Sequence, residues 1–300
     1  MSAALLRSSL ITALFLTVVS SECEPLPLVK LWPDGAPGET NNTPEHDITK
    51  PADRLSGGLR ITRIADVHDP TISVHPAPVD NSTGIGVIVC PGGGFNYLAT
   101  DIEGAEICDW LNTVGVTGIL LKYRVPAQDR PPRRPLQDIQ RTLGIVRHNA
   151  KQWGIDSHKI GVIGFSAGAN LSALLSADHA TRSYAKIDDS DMENCRPDFQ
   201  LLIYPGGMVA QGNELRPEFA VTTNTPPTFI VQAENDPVRV ENAIAYTLAL
   251  KRAGVPAEFH MYADGGHGFG LRRTGLPVAD WPERAAEWIK RHEVSLPQTR

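Results

Sequence analysis

Short apolar runs that alternate with helix-like stretches limit the fold of this chain more than any other feature. The runs at 84–90, 116–125 and 159–165 are apolar with little interruption, which is typical of strands buried on both faces of a sheet. Predicted helices lie between these strands, at 102–114 and 135–153. This alternation predicts an α/β fold with a mainly parallel central sheet of about eight strands, covered by helices on both faces.

Further segments complete the predicted sheet. Residues 59–67 and 71–77 alternate between apolar and polar side chains, which predicts two half-exposed strands joined by a short turn. The other predicted strands are 199–205, 227–233 and 257–263, and the other predicted helices begin after Ser166 or span 238–253 and 279–293. No internal repeat or linker divides residues 59–300, so these residues are predicted to form one catalytic domain.

The first residues differ from the rest in composition. In residues 1–21, Arg7 precedes an apolar stretch of about half the ~20 residues that span a bilayer, and small residues follow. This order predicts a secretory signal peptide, with an uncleaved anchor or a buried first helix as the alternatives. A lipoprotein site at Cys23 is disfavoured because Glu22 stands where a small residue is normally needed. The protein is therefore expected to be secreted or periplasmic.

Two other features are predicted to have structural roles only. Residues 22–58 are polar and rich in Pro, Gly, Asn and Asp, which predicts an extended arm anchored on the domain by Trp32 and Pro33. Asp138 and Arg141 are separated by three positions on the predicted helix 135–153, so we expect them to form an ion pair with each other.

The charge and cysteine pattern exclude several kinds of partner. The formal net charge of −6 offers no basic surface for nucleic acid or for an anionic membrane. The four cysteines form no CxxC pair, and Cys90 lies in an apolar run where a buried, unreactive thiol is expected. No cluster has the spacing of metal ligands, and no phosphate-binding loop motif is present. The sequence predicts no metal, no cofactor and no membrane contact after removal of the signal peptide, and it leaves the oligomeric state open.

One pentapeptide has the setting of a nucleophile elbow. Gly164-Phe165-Ser166-Ala167-Gly168 follows a predicted strand and precedes a predicted helix. In such a turn glycines are needed on both sides, because a Cβ at either position would collide with the backbone. The serine between them has a strained conformation and presents its hydroxyl at the carboxyl edge of the sheet. The free N–H groups of the helix favour negative charge that develops there. A serine that only caps the helix would also fit this pattern, so the hypothesis depends on its partners.

A nucleophilic serine needs a base and a carboxylate that orients the base. His267 lies in the flexible stretch DGGHGFG after the last predicted strand, whereas the other eight histidines are expected to be surface residues. The preceding strand ends in QAENDP, which offers Glu234 and Asp236. Asp236 is favoured because it lies in a turn just past the apolar run. The chain order of serine, acid and histidine is that of α/β-hydrolases.

A glycine run follows the third predicted strand, in Pro91-Gly92-Gly93-Gly94-Phe95. An oxyanion must be met by fixed donors, and glycines let backbone N–H groups approach it without side-chain clashes. We expect an N–H group of this loop and that of Ala167 to form the pair of donors. An ordinary glycine turn is the alternative.

Taken together, these motifs resemble those of the α/β-hydrolase superfamily over nearly the whole chain after the predicted signal peptide. More narrowly, the chain resembles small secreted bacterial carbohydrate esterases of the acetylxylan-esterase and feruloyl-esterase type. The narrower resemblance rests on LWPDGAPG, PGGGF, PLQDIQR, GFSAG, TPPTFIVQAENDPV, VENA and GGHGFG. It implies Ser166 as nucleophile, His267 as base, Asp236 as its partner, and the N–H groups of Gly93, Gly94 and Ala167 as oxyanion donors.

The resemblance implies a serine esterase that removes short acyl groups from sugars, for example from acetylated xylan. The alternatives are a feruloyl esterase, a general short-chain carboxylesterase, a prolyl-oligopeptidase-like peptidase and a non-catalytic binding protein with this fold. About 60 residues before the first strand are too few for the propeller that such peptidases usually carry. A non-catalytic protein would typically lack a member of the triad, and none is missing here.

Two segments are predicted to cover the active-site edge of the sheet. Residues 179–197 carry several closely spaced carboxylates, and residues 206–225 are mostly polar. A charged cover is poorly suited to a lipid interface, where buried carboxylates are unfavourable. The acyl pocket is therefore predicted to be shallow.

Overall fold

The computed structural model describes residues 26–127 and 129–294, so the predicted signal peptide lies outside the described residues. The strands are β1 (Val29–Lys30), β2 (His46–Asp47), β3 (Arg63–Ala65), β4 (Thr71–His75), β5 (Gly86–Cys90), β6 (Tyr97–Ala99), β7 (Thr117–Lys122), β8 (Ile160–Phe165), β9 (Phe199–Ile203), β10 (Thr228–Ala233) and β11 (Ala257–Tyr262). The α-helices are α1 (Glu106–Thr113), α2 (Arg133–His148), α3 (Ala167–Ala177), α4 (Glu241–Ala253) and α5 (Trp281–Val294). A π-helical turn, Asp101–Ala105, precedes α1.

The central sheet has eight strands in the order β1-β4-β7-β5-β8-β9-β10-β11. The six neighbouring strands β7, β5, β8, β9, β10 and β11 all pair in parallel. Strand β4 pairs antiparallel with both β7 and β1. A second, antiparallel sheet contains β2, β3 and β6. The predicted mainly parallel sheet of about eight strands is confirmed.

Apolar side chains of the central sheet pack against helices on both faces. Along β5, Val87 and Val89 belong to one core cluster, whereas Ile88 and Cys90 belong to the other. Helices α1 and α5 cover the first face, and α2, α3 and α4 cover the second. All five residues of β5 are buried, which explains why its sequence is apolar without alternation.

The prediction of two half-exposed strands at 59–67 and 71–77 is only partly confirmed, because each segment contains a strand but β4 is largely buried. The first segment supplies only β3, which joins the small sheet, whereas β4 lies between β1 and β7 in the central sheet. The chain leaves the extended conformation at Asp66, whose φ of 55° interrupts the first segment. The eighth strand of the central sheet comes instead from the N-terminal arm, as β1.

Two predicted helices have different ends in the structure. Helix α2 begins at Arg133 and ends at His148, and an irregular turn follows that ends at Gly154 with a φ of 68°. The N–H of Ile155 closes this turn by donating to the carbonyl oxygen of Ala150 at 2.8 Å. Helix α4 begins at Glu241, later than predicted, because the preceding residues form a turn around Asp236.

A buried ion pair holds the arm against the domain. The carboxylate of Asp138 accepts hydrogen bonds from Trp32 Nε1 at 2.8 Å and from Arg124 Nε at 3.0 Å, and Arg124 Nη2 lies 2.9 Å from the same carboxylate. All three side chains are almost fully buried, whereas Pro33 is exposed and Leu31 is buried beside Trp32. Trp32 is thus an anchor of the arm, but Pro33 is not.

The predicted pair between Asp138 and Arg141 is also wrong. Arg141 contacts the carboxylates of Asp188 and Asp191, at 2.5 Å and 3.0 Å. Its guanidinium holds the pKa of Asp188 well below the usual range through a direct hydrogen bond. Asp138 and Arg141 therefore bind different partners. Arg124 and Trp32 pack against α2 at Asp138, whereas the segment 179–197 packs against α2 at Arg141.

The described cysteines are buried and unpaired. They are Cys90, Cys108 and Cys195, and burial raises the pKa of Cys90 to about 12. This thiol is therefore protonated and unreactive at neutral pH, as expected from its sequence. Across residues 26–127 and 129–294, every helix is too short or too polar to cross a membrane.

We expect Asp138→Asn to lower the free energy of unfolding by about 3–5 kcal/mol, because it leaves the Arg124 guanidinium buried without its counter-ion. Urea unfolding followed by circular dichroism measures this change. The matched control is Lys30→Gln, which breaks the exposed Lys30–Asp69 ion pair and should cost less than about 1 kcal/mol. Equal effects of the two substitutions would contradict the stabilising role of the buried ion pair between Asp138 and Arg124.

Candidate active site

Ser166 occupies a sharp turn between the end of β8 and the start of α3. Its backbone has φ 52° and ψ −111°, a strained conformation for a residue with a side chain. The N–H of Ser166 donates to the carbonyl oxygen of Ile203 at 3.0 Å, and its carbonyl accepts from the N–H of Asn170 at 3.1 Å. These hydrogen bonds hold the strained turn in place.

The glycines on either side of the turn have the steric role that the sequence suggested. A Cβ on Gly168 would overlap the carbonyl oxygen of Cys90 at the end of β5, and a Cβ on Gly164 would overlap the backbone of Gly168. The start of α3 therefore packs directly against the two central strands, β5 and β8. No residue larger than glycine fits at these two positions without backbone movement.

The residues predicted as a triad form a continuous chain of hydrogen bonds. The Nε2 atom of His267 lies 2.8 Å from Ser166 Oγ, and its Nδ1 atom lies 2.7 Å from Asp236 Oδ2. Each residue follows a parallel strand, since Ser166 follows β8, Asp236 follows β10 and His267 follows β11. Parallel strands end at the same edge of the sheet, so residues far apart in sequence meet there.

The surroundings of Asp236 distinguish it from Glu234. The Asp236 side chain is fully buried, and its two oxygens accept hydrogen bonds from Gln232 Nε2 at 2.8 Å and from the N–H of Val238 at 2.7 Å. Glu234 is exposed. Only Asp236 is therefore placed to orient the imidazole of His267.

Asn235 attaches the histidine loop to the aspartate turn, and the sequence analysis did not single it out. Its Oδ1 accepts hydrogen bonds from the N–H groups of Gly265 and Gly266 at 3.1 Å and 2.8 Å. Its Nδ2 donates to Asp264 Oδ1 at 3.0 Å. The loop that carries His267 is thus held by a side chain next to Asp236.

The glycine loop after β5 lies beside Ser166. Gly93, Gly94, Ser166 and Ala167 all line one cavity. The N–H of Gly92 donates to Glu103 Oε2 at 2.7 Å, so this group is already engaged. The residues predicted to supply the oxyanion donors, Gly93, Gly94 and Ala167, therefore lie around the same cavity as the serine.

Glu103 is a buried carboxyl beneath this loop, on the π-helical turn, that the sequence did not single out. Besides Gly92, its Oε1 accepts a hydrogen bond from the Tyr204 hydroxyl at 2.8 Å. Burial raises the pKa of Glu103, and the hydrogen bonds from Tyr204 and Gly92 oppose that shift. Glu103 therefore connects the glycine loop to the end of β9.

Tyr204 extends this connection to the histidine loop. Its hydroxyl oxygen accepts a hydrogen bond from the N–H of Gly270 at 3.3 Å. Its ring meets the imidazole of His267 edge to face, with ring centroids 4.9 Å apart. Tyr204 is fully buried and has a φ of 40°, so it keeps an unfavourable backbone conformation at this position.

The site opens into a cavity of about 800 Å³. The segment 179–197 does not contribute to its lining, because Arg141 and its neighbours hold that segment against α2 instead. The prediction that this segment covers the active-site edge is therefore wrong. The segment 206–225 does line the cavity, through residues that include Gly206, Arg216 and Phe219.

The N-terminal arm supplies a wall of the cavity that the sequence analysis missed. Residues 54–57 line the cavity together with the glycine loop and the histidine loop. Arg272 holds this wall, because its guanidinium donates to the carbonyl oxygen of Arg60 at 2.8 Å and to Glu106 Oε1 at 2.6 Å. The same side chain contacts Asp101, the first residue of the π-helical turn that carries Glu103. Within the described ranges, no group of three or more His, Cys, Asp or Glu residues could hold a metal ion.

Two family models match parts of this chain. The model described as BD-FAE matches residues 75–201, and a model described as alpha/beta hydrolase fold matches residues 213–271. The first range contains the glycine loop and the serine turn. The second contains Asp236 and His267.

Several known proteins are similar to this chain. An acetylxylan esterase of Xylanibacter ruminicola is 31% identical over 223 residues, which are 64% of this chain and 42% of that protein. The endo-1,4-beta-xylanase B of Butyrivibrio fibrisolvens is 28% identical over 204 residues, which are 61% of this chain and 32% of that protein. The chain thus spans less than half the length of these two relatives.

A solved structure matches over nearly its whole length. The acetyl ester-xyloside bifunctional hydrolase from Caldicellulosiruptor lactoaceticus aligns with a TM-score of 0.69 and 29% sequence identity. The match covers 89% of this chain and 96% of that chain.

We expect Glu103→Ala to lower the free energy of unfolding by about 1–3 kcal/mol for each buried donor that it leaves without an acceptor, at Gly92 and at Tyr204. Glu103→Gln is the matched control, because its amide oxygen still accepts one hydrogen bond and its loss should be smaller. Urea unfolding of the three proteins measures the difference. An alanine variant as stable as the unsubstituted protein would show that these contacts contribute nothing.

Proposed function

We propose that this chain, which has the α/β-hydrolase fold, is a serine esterase for short acyl groups, mainly acetyl, on plant polysaccharides such as acetylated xylan. The chain resembles carbohydrate esterases of the acetylxylan-esterase type. The observation that carries the proposal is the hydrogen-bonded chain from Asp236 through His267 to Ser166 at the cavity wall. This arrangement is the one required to activate a serine hydroxyl.

The proposed reaction begins with proton transfer from Ser166 to His267. As Ser166 Oγ attacks the ester carbonyl carbon, Nε2 accepts the hydroxyl proton, and the carbonyl oxygen becomes an oxyanion. The carboxylate of Asp236 accepts the hydrogen bond from Nδ1–H, which keeps the correct tautomer and stabilises the imidazolium. The full burial of the Asp236 side chain strengthens this interaction, because water does not screen it.

The oxyanion is proposed to be bound by backbone N–H groups of Ala167 and of Gly93 or Gly94. These donors are fixed before the substrate arrives, so they stabilise the tetrahedral intermediate without reorganisation. The intermediate then expels the sugar alkoxide, which takes the proton from Nε2 of His267. A water molecule hydrolyses the acyl-enzyme by the same steps, with His267 again as the base.

Two features support a short acyl group. A Cβ built on Gly206 would lie 4.0 Å from Ser166 Oγ and 2.8 Å from Val238 Cγ1, so the space between the serine and Val238 is narrow. The relatives and the solved structure described above include an acetylxylan esterase and an acetyl ester-xyloside hydrolase.

We also propose that the chain is exported and that residues 1–21 are removed as a signal peptide. The order of Arg7, the apolar stretch and the small residues after it supports this proposal. The mass of the protein recovered outside the cytoplasm tests it, and an exported protein that keeps residues 1–21 would contradict it.

We expect Ser166→Ala to reduce kcat by about 10⁴- to 10⁶-fold with little change in the fold, because the triad acts as a unit. His267→Ala should be comparably severe, and Asp236→Asn should be milder but still large. The matched control is Glu234→Gln, which changes an exposed carboxylate two residues from Asp236 and should be nearly neutral. Hydrolysis of 4-nitrophenyl acetate measures all four. A Ser166→Ala variant that keeps a tenth of the original activity would show that Ser166 is not the nucleophile.

We expect kcat/KM to fall steeply along a series of 4-nitrophenyl esters from acetate to octanoate, because the narrow space between Ser166 and Val238 limits the length of the acyl chain. Release of acetate from acetylated xylan and of ferulate from feruloylated sugars, measured in parallel, separates the acetyl esterase from the feruloyl esterase. Preference for octanoate, or activation at an emulsion surface, would instead indicate a lipase.

A further inference from the structure

Three arginines from three distant parts of the chain line the cavity that contains Ser166. Arg54 comes from the N-terminal arm, Arg130 from the loop between β7 and α2, and Arg216 from the loop after β9. All three are exposed, so they lie toward the opening of the cavity rather than at its floor. We call these residues the arginine rim.

The rim guanidinium groups form no direct ion pair within the described residues, although Asp53, Asp129 and Glu218 lie within two positions of them along the chain. Arg63, another cavity residue, forms an ion pair with Asp53. By contrast, none of the three rim arginines has a carboxylate oxygen within 4.0 Å in the part of the chain that the structure describes. The acidic residues of the lining are Glu218 and the buried Glu103. This positive opening occurs on a chain with a net charge of −6, so it does not follow from overall composition.

Two of the rim side chains are held in position by neutral contacts. Arg130 donates to the carbonyl oxygens of Ala127 and Asp129, and its guanidinium lies 5.4 Å from the centre of the Phe95 ring. Arg216 donates through Nε to the carbonyl oxygen of Val209 at 3.2 Å. These contacts leave other guanidinium N–H groups of each residue for a ligand, since every guanidinium carries five.

We propose that the arginine rim binds a carboxylate on the sugar part of the substrate, so that the preferred substrates are acetyl esters of oligosaccharides that contain a uronic acid. This inference rests on the proposed esterase function. The planar guanidinium matches a carboxylate in charge and geometry, and it is less strongly hydrated than an ammonium group. The sugar part is favoured over the acyl part because the space beside Ser166 is narrow, whereas the rim is at the opening.

The test measures binding to the Ser166→Ala protein, which does not depend on catalysis. The probes are xylotriose and xylotriose that carries one glucuronic acid residue, and isothermal titration calorimetry gives both affinities. We expect about 10-fold tighter binding of the acidic probe at low salt, since each exposed charge pair contributes a factor of about 2 to 5. The ratio should fall toward 1 at about 1 M salt, where the screening length is about 3 Å.

Substitutions of the rim locate the effect. Arg54→Gln, Arg130→Gln and Arg216→Gln should each lower the ratio of acidic to neutral affinity, and the triple variant should bring it close to 1. The matched control is Arg252→Gln on α4, an exposed arginine outside the cavity, which should leave the ratio unchanged. Equal affinity for the two probes in the parent protein, or an unchanged ratio in the triple variant, would overturn the proposal.

A second comparison identifies which part of the substrate carries the acid. The protein with Ser166 intact is given acetyl esters of the acidic and neutral trisaccharides, and also 4-nitrophenyl acetate and 4-nitrophenyl hemisuccinate. A higher kcat/KM for the acidic trisaccharide supports the proposal, and a preference for hemisuccinate over acetate would overturn it by placing the acid on the acyl group. The proposed esterase function itself is tested separately, because it is wrong if the same protein does not hydrolyse 4-nitrophenyl acetate.

Discussion

The close contact between the serine turn and the end of β5 is the constraint on which the rest of the site depends. The carbonyl oxygen of Cys90 occupies the space that a Cβ on Gly168 would need, so α3 starts directly against the two central strands. This contact places Ser166 at the carboxyl edge of the sheet and imposes its strained φ of 52°. The hydrogen bond from Ser166 N–H to Ile203 compensates part of that strain and ties the turn to β9.

Two buried carboxyl groups then organise the residues around the serine. Asp236 holds His267 in line with Ser166, while Glu103 holds the glycine loop through the N–H of Gly92. Tyr204 connects these two parts, because its hydroxyl binds Glu103 and its ring packs against the imidazole. The positions of the serine, the base and the predicted oxyanion donors therefore depend on one set of contacts rather than on separate loops.

The N-terminal arm is part of both the core and the cavity. Its first segment adds β1 to the central sheet, and Trp32 is buried against Asp138 on α2. Its last segment, residues 54–57, lines the cavity that contains Ser166, and Arg272 holds the neighbouring backbone in place. Changes in residues 54–57 would therefore alter the lining of the cavity without touching the triad, because the triad residues follow β8, β10 and β11 and the arm supplies none of these strands.

Local sequence patterns by themselves determined the parallel sheet and brought Ser166, Asp236 and His267 to one edge, because each follows an apolar strand and parallel strands end together. Only the tertiary structure decided which partners buried charges take. Arg141 binds Asp188, 47 residues away, instead of its helix neighbour Asp138, and this contact draws 179–197 away from the cavity. The local sequence around Glu103 also gives no sign that this carboxyl group is buried. Such contacts depend on which surfaces pack together, and spacing along the chain carries no information about that.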